Sequence, residues 1–362
     1  MSSVAELGPY AQRLALVMTG PAPDDPRFVG EPVDLGKVTD RELGTLLAVA
    51  WRVFPDPVSS RPANLTSHAL RFAVRERSPL FTPAACAELF AALAERAAAP
   101  TDDDRPLLGG SGPILAVAAM LRCTGPLPAG LGEPAAVLAR QRVEAHRRHV
   151  RLALAAVAGP DVDAEVAAAT GAELAGDPLA ADELAVALRL DGPGRAVLAE
   201  ADRYATVSGV APLPDIVDRL AAIGEYAAFS RAVLESAAAR VADLHAGRAP
   251  YEADKAFTVA EADVLWRSCQ VALLRAEPWL GDLLGRLLPG VVVAPTAART
   301  APSQAAGIVL AQAVEARPIP EAVAALREAR RVVRHAGLAK KLDRVLRIAE
   351  KGLSRPAGGR PA

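Results

Sequence analysis

The chain has 362 residues and a net charge of −1, and 51% of its residues are hydrophobic although only 4% are aromatic. A chain of this length can bury a substantial core and hold one to three domains. Alanine, the best helix former, supplies much of the apolar content, and runs of strand-favouring residues are scarce, so the composition favours an all-α protein. No segment reaches the roughly 18 uninterrupted apolar residues of a membrane helix. We therefore expect neither a membrane-spanning helix nor a membrane partner.

The chain in order begins with a segment that does not resemble a signal peptide. Its first residues are acidic rather than basic, and its apolar run, Leu14 to Met18, is short. The three cysteines, Cys86, Cys123 and Cys269, are far apart in sequence and form no CxxC pair. This usage is typical of reduced, buried thiols. The sequence thus predicts a cytoplasmic protein.

Helix-start signals mark the first part of the chain. Thr39 and Glu42 have the spacing of a capping box, so a helix should begin directly after Thr39. Thr82 and Pro83 predict another helix, with the threonine as N-cap and the proline as first residue. After a loop rich in Asp, Gly and Pro, a further helix should begin at about Pro113.

The second part of the chain continues the helical pattern. Pro214 is predicted to open the longest helix, which should reach His245. Thr258 and Glu261 repeat the capping box. The segment Gly290–Thr300, GVVVAPTAART, is predicted to be an extended connector.

The loops between these helices suggest how the chain is divided. We predict an N-terminal helical region at 1–110, a central helical region at 111–250, a C-terminal HEAT-like region at 251–356 and a disordered tail at 357–362. Many helices with short connectors indicate a HEAT-like helical repeat, that is an α-solenoid, or an irregular multi-helix array.

The clearest pattern lies between Pro318 and Leu353, which has the features of a helical hairpin. Pro320 suits the first position of one helix, and Gly337 is predicted to end it. A second helix should begin near Leu338. Apolar residues recur every three or four positions in both helices, which predicts one buried stripe on each.

The end of the chain is strongly basic. From Arg317 onward it carries twelve basic and four acidic residues, a net charge of +8, so the first 316 residues carry −9. Eight of these cations recur at helical spacing and define a predicted basic face: Arg327, Arg330, Arg331, Arg334, Lys340, Arg344, Arg347 and Lys351. Such a face can bind phosphates or an acidic protein surface. It can equally be solvated, or dock on the acidic remainder of the chain.

From Phe257 to Pro356 the sequence resembles a segment of the bacterial MolR-like proteins. The resemblance is carried by VVVAPTAARTAPSQA (291–305), PIPEAVAALREARR (318–331) and AGLAKKLDRVL (336–346). It covers less than a third of the chain. It implies HEAT-like helices and no catalytic residue.

Three stretches could carry chemistry, and each has a plainer interpretation. Gly109–Pro113 lacks the final glycine of G-x-S-x-G and the lysine of a P-loop, so we expect a turn before a helix. Asp102–Asp104 could hold Mg²⁺, but loop aspartates are usually caps and solvated charges. His146 and His149 share a helix face and could ligate a metal, but the arginines beside them favour an exposed basic helix.

The sequence therefore favours a non-catalytic helical-repeat scaffold that binds another protein, one of acidic character, and it suggests no cofactor and no metal. The first alternative is a nucleic-acid-binding protein that uses the basic face, although no aromatic residues interleave with its cations. The second alternative is an enzyme of unrecognised class, centred on the aspartates or histidines named above.

Overall fold

The computed structural model describes residues 11, 14, 34–53, 69, 70, 72–98, 112–141, 147–202 and 210–354. Within these ranges the chain is all-α, as the sequence predicted, with fifteen α-helices of defined bounds and a single-turn 3-10 helix. The one β-bridge among the described residues joins Phe81 to Cys123 and belongs to no strand. None of the described helices is long and apolar enough to cross a membrane.

The first eight helices follow one another in chain order. They are α1 (Asp40–Val53), α2 (Pro83–Ala98), α3 (Gly112–Leu121), α4 (Gly132–Ala139), α5 (Arg148–Ala158), α6 (Pro160–Glu173), α7 (Pro178–Ala187) and α8 (Gly192–Glu200). The last seven are α9 (Ile216–Ala222), α10 (Gly224–His245), α11 (Val259–Leu274), α12 (Leu280–Val292), α13 (Gln304–Ala316), α14 (Pro320–Val332) and α15 (Ala336–Leu353).

The chain forms two compact units. The first comprises Met1–Thr170 and Ala187–Pro214, and the second comprises Gly171–Val186 and Asp215–Ala362. The predicted boundary near residue 110 and the predicted tail at 357–362 lie outside the described residues. The predicted boundary at 250 stays a prediction.

The first unit is built from helices that pack on near neighbours in sequence. Helix α2 packs on α1, α3 and α4, and α5 packs on α3, α4 and α8. The predicted capping box at Thr39 is confirmed, since its backbone N–H donates to Glu42 Oε2 at 2.8 Å and the Glu42 N–H donates to Thr39 Oγ1 at 3.3 Å. The start of α2 is confirmed as well. Pro83 is its first residue, and the Ala85 N–H donates to Thr82 Oγ1 at 3.1 Å.

The second unit has a more regular arrangement. Helix α10 packs on α12 and α12 on α14, while α11 packs on α13 and α13 on α15. Consecutive helices α10 and α11, α12 and α13, and α14 and α15 also contact each other. The six helices therefore form two layers, one of α10, α12 and α14 and the other of α11, α13 and α15. The predicted capping box of Thr258 and Glu261 is confirmed at the start of α11.

The predicted helix from Pro214 to His245 is interrupted. Helix α9 ends at Ala222, and Ile223 has an extended conformation before α10 begins at Gly224. A single extended residue is enough to separate two helices, and the sequence marks the break only by the glycine that follows it, Gly224.

The predicted extended connector at Gly290–Thr300 is wrong in its first three residues, because α12 continues through Pro289 to Val292. Apolar residues recur along this helix at three- and four-residue spacing, and Val291 and Val292 are fully buried. Burial of this stripe outweighs the cost of a proline near the end of a helix, where few backbone bonds remain to be lost.

The terminal hairpin is present, with one change in its turn. Pro320 opens α14 as predicted, but the prediction that Gly337 ends this helix is wrong. Helix α14 ends at Val332, and Gly337 lies inside α15. The N-cap of α15 is His335, whose Nδ1 accepts from the Leu338 N–H at 3.1 Å. A histidine is a rare N-cap compared with Ser, Thr, Asp or Asn, so sequence alone did not locate this turn.

Candidate functional site

A line of four cations runs along the outer side of α15. Lys340, Arg344, Arg347 and Lys351 are spaced by four, three and four residues, so they fall within about 60° of one another on the helix. All four are exposed. The buried residues of α15 lie on the opposite side and are Leu338, Leu342, Val345 and Ala349. We call the four cations the cationic stripe.

Three other members of the predicted basic face are paired with carboxylates inside the hairpin. Arg327 donates to Glu350 at 2.7 Å, and Arg330 donates to Asp343 at 2.9 Å, so both pairs join α14 to α15. Arg331 pairs with Glu328 on its own helix at 2.6 Å.

Two of these pairs, Arg330 with Asp343 and Arg331 with Glu328, lower the pKa of their carboxylates. Hydrogen bonding by Arg330 holds the pKa of Asp343 below its ordinary value, and hydrogen bonding by Arg331 does the same for Glu328. In return the pKa values of Arg330 and Arg331 are raised. Both members of these two pairs therefore stay charged near neutral pH.

The remaining member of the predicted face, Arg334, donates to the backbone oxygen of Thr296 at 2.5 Å. The predicted face of eight cations is thus divided into two groups. Arg327, Arg330, Arg331 and Arg334 bind groups of the protein. The four residues of the cationic stripe lie opposite the buried side of α15 and form no ion pair within the described ranges, although Arg347 donates through Nε to the Asp343 carbonyl of its own helix at 3.3 Å. One large apolar residue, Ile348, lies on α15 beside Arg344 and is 43% exposed.

The structure gives a mixed outcome for the predicted chemical candidates. Asp102–Asp104, Gly109–Ser111 and His146 lie outside the described residues. His149 is described and lies in α5, where it is only 2% exposed, and Arg148 beside it is 3% exposed. The expectation of an exposed basic helix is therefore wrong for Arg148 and His149. Across the ranges that the structure describes, no group of three His, Cys, Asp or Glu side chains could hold a metal ion.

Cys86 and Cys123 contact each other, although 37 positions separate them in sequence. All three are free thiols, and Cys86 and Cys269 are buried as expected. Burial, together with the neighbouring Cys123 thiol, raises the pKa of Cys86 to about 12. Burial alone raises the pKa of Cys269 to about 12. Neither buried thiol is a nucleophile at neutral pH.

A buried ionic cluster in the second unit was not predicted from the sequence. Glu183 on α7 accepts from Arg267 on α11 at 2.9 Å and from the Tyr226 hydroxyl on α10 at 2.7 Å. The side chains of Glu183 and Arg267 are at most 1% exposed. Burial is the main cause that raises the pKa of Tyr226 well above its ordinary value. A closed cluster of this kind joins three helices and has no access for a substrate.

A second network lies at the start of α11. Glu261 closes the capping box with Thr258 and also accepts from Arg240 on α10 at 2.9 Å. The same carboxylate accepts from the backbone N–H of Leu179 at 3.3 Å. The sequence showed the cap but not the two longer-range partners.

The first unit buries arginines in the same manner. Arg122 forms a bidentate ion pair with Glu200, in which Nη2 donates to Oε1 at 2.7 Å. Arg195 forms a bidentate ion pair with Asp163. Both guanidinium groups also donate to backbone carbonyls. Since every one of these contacts satisfies a buried charge, we regard them as structural rather than catalytic.

An open cleft of about 740 Å³ lies in the second unit, between α10 and α12. Its apolar lining includes Val241 of α10, and Leu283, Pro289 and Val293 of α12 and its end. Val332 of α14 contributes as well. The volume is in the range of small-molecule sites, which are mainly apolar with a few placed polar groups.

Three polar side chains line this cleft, namely Glu235, His245 and Arg286. His245 Nε2 lies 2.8 Å from the Gly290 carbonyl oxygen, so this nitrogen is the donor. Glu235 accepts from Arg231 at 2.8 Å.

Arg286 is exposed and donates through Nε to the Asp282 carbonyl at 3.4 Å. Among the described residues its terminal nitrogens have no hydrogen-bond partner. Arg286 is therefore the charged group of the cleft that remains available to a ligand.

Comparison of the chain with protein-family models, curated proteins and solved structures finds no match. The resemblance to the MolR-like proteins therefore stays a prediction.

Proposed function

We propose that the chain is a helical scaffold that binds an acidic protein partner through the cationic stripe of α15. The observation that carries the proposal is the sorting of charge within the hairpin. Asp343 and Glu350 form their ion pairs with Arg330 and Arg327, and within the described ranges neither forms one with a residue of the stripe. The stripe keeps four positive charges along about 16 Å of exposed helix.

The two-layer order of α10 to α15 supports a HEAT-like stack. In such an array each helix pair packs on the next, and an end helix keeps one face without a neighbouring repeat. Helix α15 belongs to the last described pair, and its packing partners are α13 and α14. Its outer face is where a partner would extend the stack.

A protein partner agrees better than nucleic acid with the residues beside the stripe. Ile348 offers an apolar contact next to the cations. Protein interfaces combine apolar and charged contacts in this way, whereas the phosphate backbone of a nucleic acid is bound through charge alone. Three of the eight predicted phosphate-binding cations, Arg327, Arg330 and Arg331, are also paired with carboxylates of the protein. The free thiols agree with a reducing, cytoplasmic setting.

The proposal is tested by affinity capture from a native extract treated with nuclease. Wild-type protein is compared with a variant that carries Lys340→Gln, Arg344→Gln, Arg347→Gln and Lys351→Gln. A matched control loses the same charge at exposed positions elsewhere, with Arg41→Gln, Arg75→Gln, Arg219→Gln and Lys255→Gln.

We expect a stoichiometric acidic protein that is captured by the wild type and by the control but not by the stripe variant. Capture of nucleic acid that is lost after nuclease treatment would favour the nucleic-acid alternative. Equal capture by the stripe variant and the wild type would contradict both uses of the stripe.

A further inference from the structure

We propose that the cleft between α10 and α12 binds a small amphipathic anion, an aliphatic chain that carries one carboxylate-like head group. The inference is independent of the cationic stripe. It rests on the volume of the cleft, on its apolar lining residues and on the charged side chains among them.

Small side chains on α10 create the space. Ala238, Ala239 and Ala242 line the cleft at three- and four-residue spacing, and together with Val241 they give α10 a low, apolar surface there. The opposite wall is formed by Leu283 and other apolar residues of α12. Such walls offer dispersion contacts and removal of apolar surface from water, but no hydrogen bonds, so they suit an aliphatic chain.

The backbone at Pro289 and Gly290, which line the cleft, presents few unpaired hydrogen-bonding groups to an apolar ligand. Proline at position 289 has no N–H to satisfy. The nearby Gly290 carbonyl already accepts from His245 at 2.8 Å. An aliphatic chain that covers Pro289 and Gly290 therefore leaves neither of these backbone groups buried without a hydrogen-bond partner.

The charge balance of the rim selects an anion. The one carboxylate among the lining residues, Glu235, is neutralised by Arg231. Arg231 in turn lies over the Trp279 ring at 5.5 Å, which helps to hold the pair in place. Arg286 has no carboxylate partner among the described residues, and a guanidinium group binds a carboxylate through paired hydrogen bonds. A cationic amphiphile would gain no such contact.

The volume of the cleft limits the occupant to a small molecule. About 740 Å³ is enough for a chain-like ligand and its head group. Dodecanoate is therefore a suitable probe. Dodecanol has the same chain without the charge, and dodecyltrimethylammonium has the opposite charge.

The test measures binding of dodecanoate to the full chain by titration calorimetry below its micelle concentration. Ala242→Phe should place a ring against the apolar walls where the chain would lie and so abolish binding, and because Ala242 is exposed the larger ring causes no clash inside the core. Ala228→Phe, at an exposed position of the same helix outside the cleft, is the matched control and should leave binding unchanged.

The anion preference is tested at Arg286. Arg286→Gln should weaken dodecanoate binding about five- to tenfold and leave dodecanol binding unchanged. Arg344→Gln removes an exposed arginine outside the cleft and should have no effect. Circular dichroism on each variant establishes that it is folded.

Saturable dodecanoate binding that Ala242→Phe removes and Arg286→Gln weakens supports the proposal. Absence of saturable binding to the wild type would overturn it, and so would binding that persists in Ala242→Phe. Equal binding of dodecanoate and dodecyltrimethylammonium would overturn the assignment of the head group.

Discussion

Glu183 and Arg267 form a fully buried ion pair between α7 and α11, in which the guanidinium Nε donates to a carboxylate oxygen at 2.9 Å. The Tyr226 hydroxyl donates to the same carboxylate. Removing one ion from water costs several kcal/mol, so each charge depends on the other. The pair joins α7 to α11, since both charged groups are buried between these helices.

We predict that removing one member of this pair destabilises the second unit strongly. Glu183→Leu or Arg267→Met alone should cost about 3–5 kcal/mol, since each leaves an uncompensated buried charge. The double variant should cost less than the sum of the two single ones and less than either alone. Urea unfolding of the four proteins, analysed as a double-mutant cycle, measures the coupling. Additive effects would show that the two groups do not depend on each other.

A second prediction concerns the histidine cap of α15. His335→Ala removes the acceptor of the Leu338 N–H and should destabilise the start of the helix by about 1 kcal/mol. His335→Asn supplies a better N-cap and should retain or increase stability. Hydrogen exchange of the first α15 amides measures the effect locally. Equal protection in the alanine and asparagine variants would contradict the capping role.

The buried Cys269 predicts a dependence of stability on alkaline pH. Its pKa is about 12 in the folded protein and 9.0 ordinarily. The contribution of the protonated thiol is therefore fully present below pH 9 and is lost as the pH rises from 9 towards 12, because only the unfolded chain can ionise there. The loss should be about 1 kcal/mol at pH 10.

Cys269→Ala is the comparison for this effect. The variant should be less stable at neutral pH because a small cavity is left, but it should lose less stability between pH 8 and pH 10 than the wild type. Urea unfolding at both pH values gives the two differences. An identical pH slope in both proteins would contradict the buried, protonated state of this thiol.

A fourth prediction concerns the contact between α10 and α12. A Cβ atom added at Gly290 would overlap the Val241 side chain. Gly290→Ala should therefore destabilise the unit by about 1–3 kcal/mol. Val241→Ala removes the overlapping methyl groups and leaves space at this contact. The double variant should therefore be more stable than Val241→Ala alone, because the methyl group added at position 290 fills part of that space. Thermal unfolding checks this, and no recovery in the double variant would show that the two positions do not contact.

Local signals in the sequence predicted much of the helical architecture. The capping boxes at Thr39 and Thr258 and the proline at Pro320 were located correctly, because a helix start depends on residues within one turn. The wrong predictions at Gly290 and Gly337 have different causes. At Gly290 the buried apolar stripe of α12 continues the helix, whereas α14 ends at Val332 and the His335 cap begins α15 before Gly337 is reached.

The buried ion pairs could not be predicted in the same way. Glu183 and Arg267 are separated by 84 positions, and nothing in the local sequence distinguishes them from the many exposed charges of this chain. The contact of Cys86 with Cys123 has the same origin, since it follows from the bridge between Phe81 and Cys123 after the chain has folded. The cleft was missed because it depends on α12 continuing past Pro289.

The cationic stripe was only partly predictable. Helical spacing identified the eight cations, and the four on α15 do lie on one exposed side. The sequence could not show that Arg327 and Arg330 are engaged by Glu350 and Asp343, because those pairs require α14 and α15 to be adjacent. Which cations remain available to a partner is therefore a property of the fold.

Photo-crosslinking from position 348 tests the use of the stripe most directly. A benzoylphenylalanine in place of the exposed Ile348 lies beside Arg344 and should react with whatever covers α15 in the cell. We predict a crosslinked acidic protein that survives nuclease and disappears when Lys340, Arg344, Arg347 and Lys351 are changed to glutamine. A crosslinked species that persists without these four charges, or no crosslinked protein at all, would contradict the proposal.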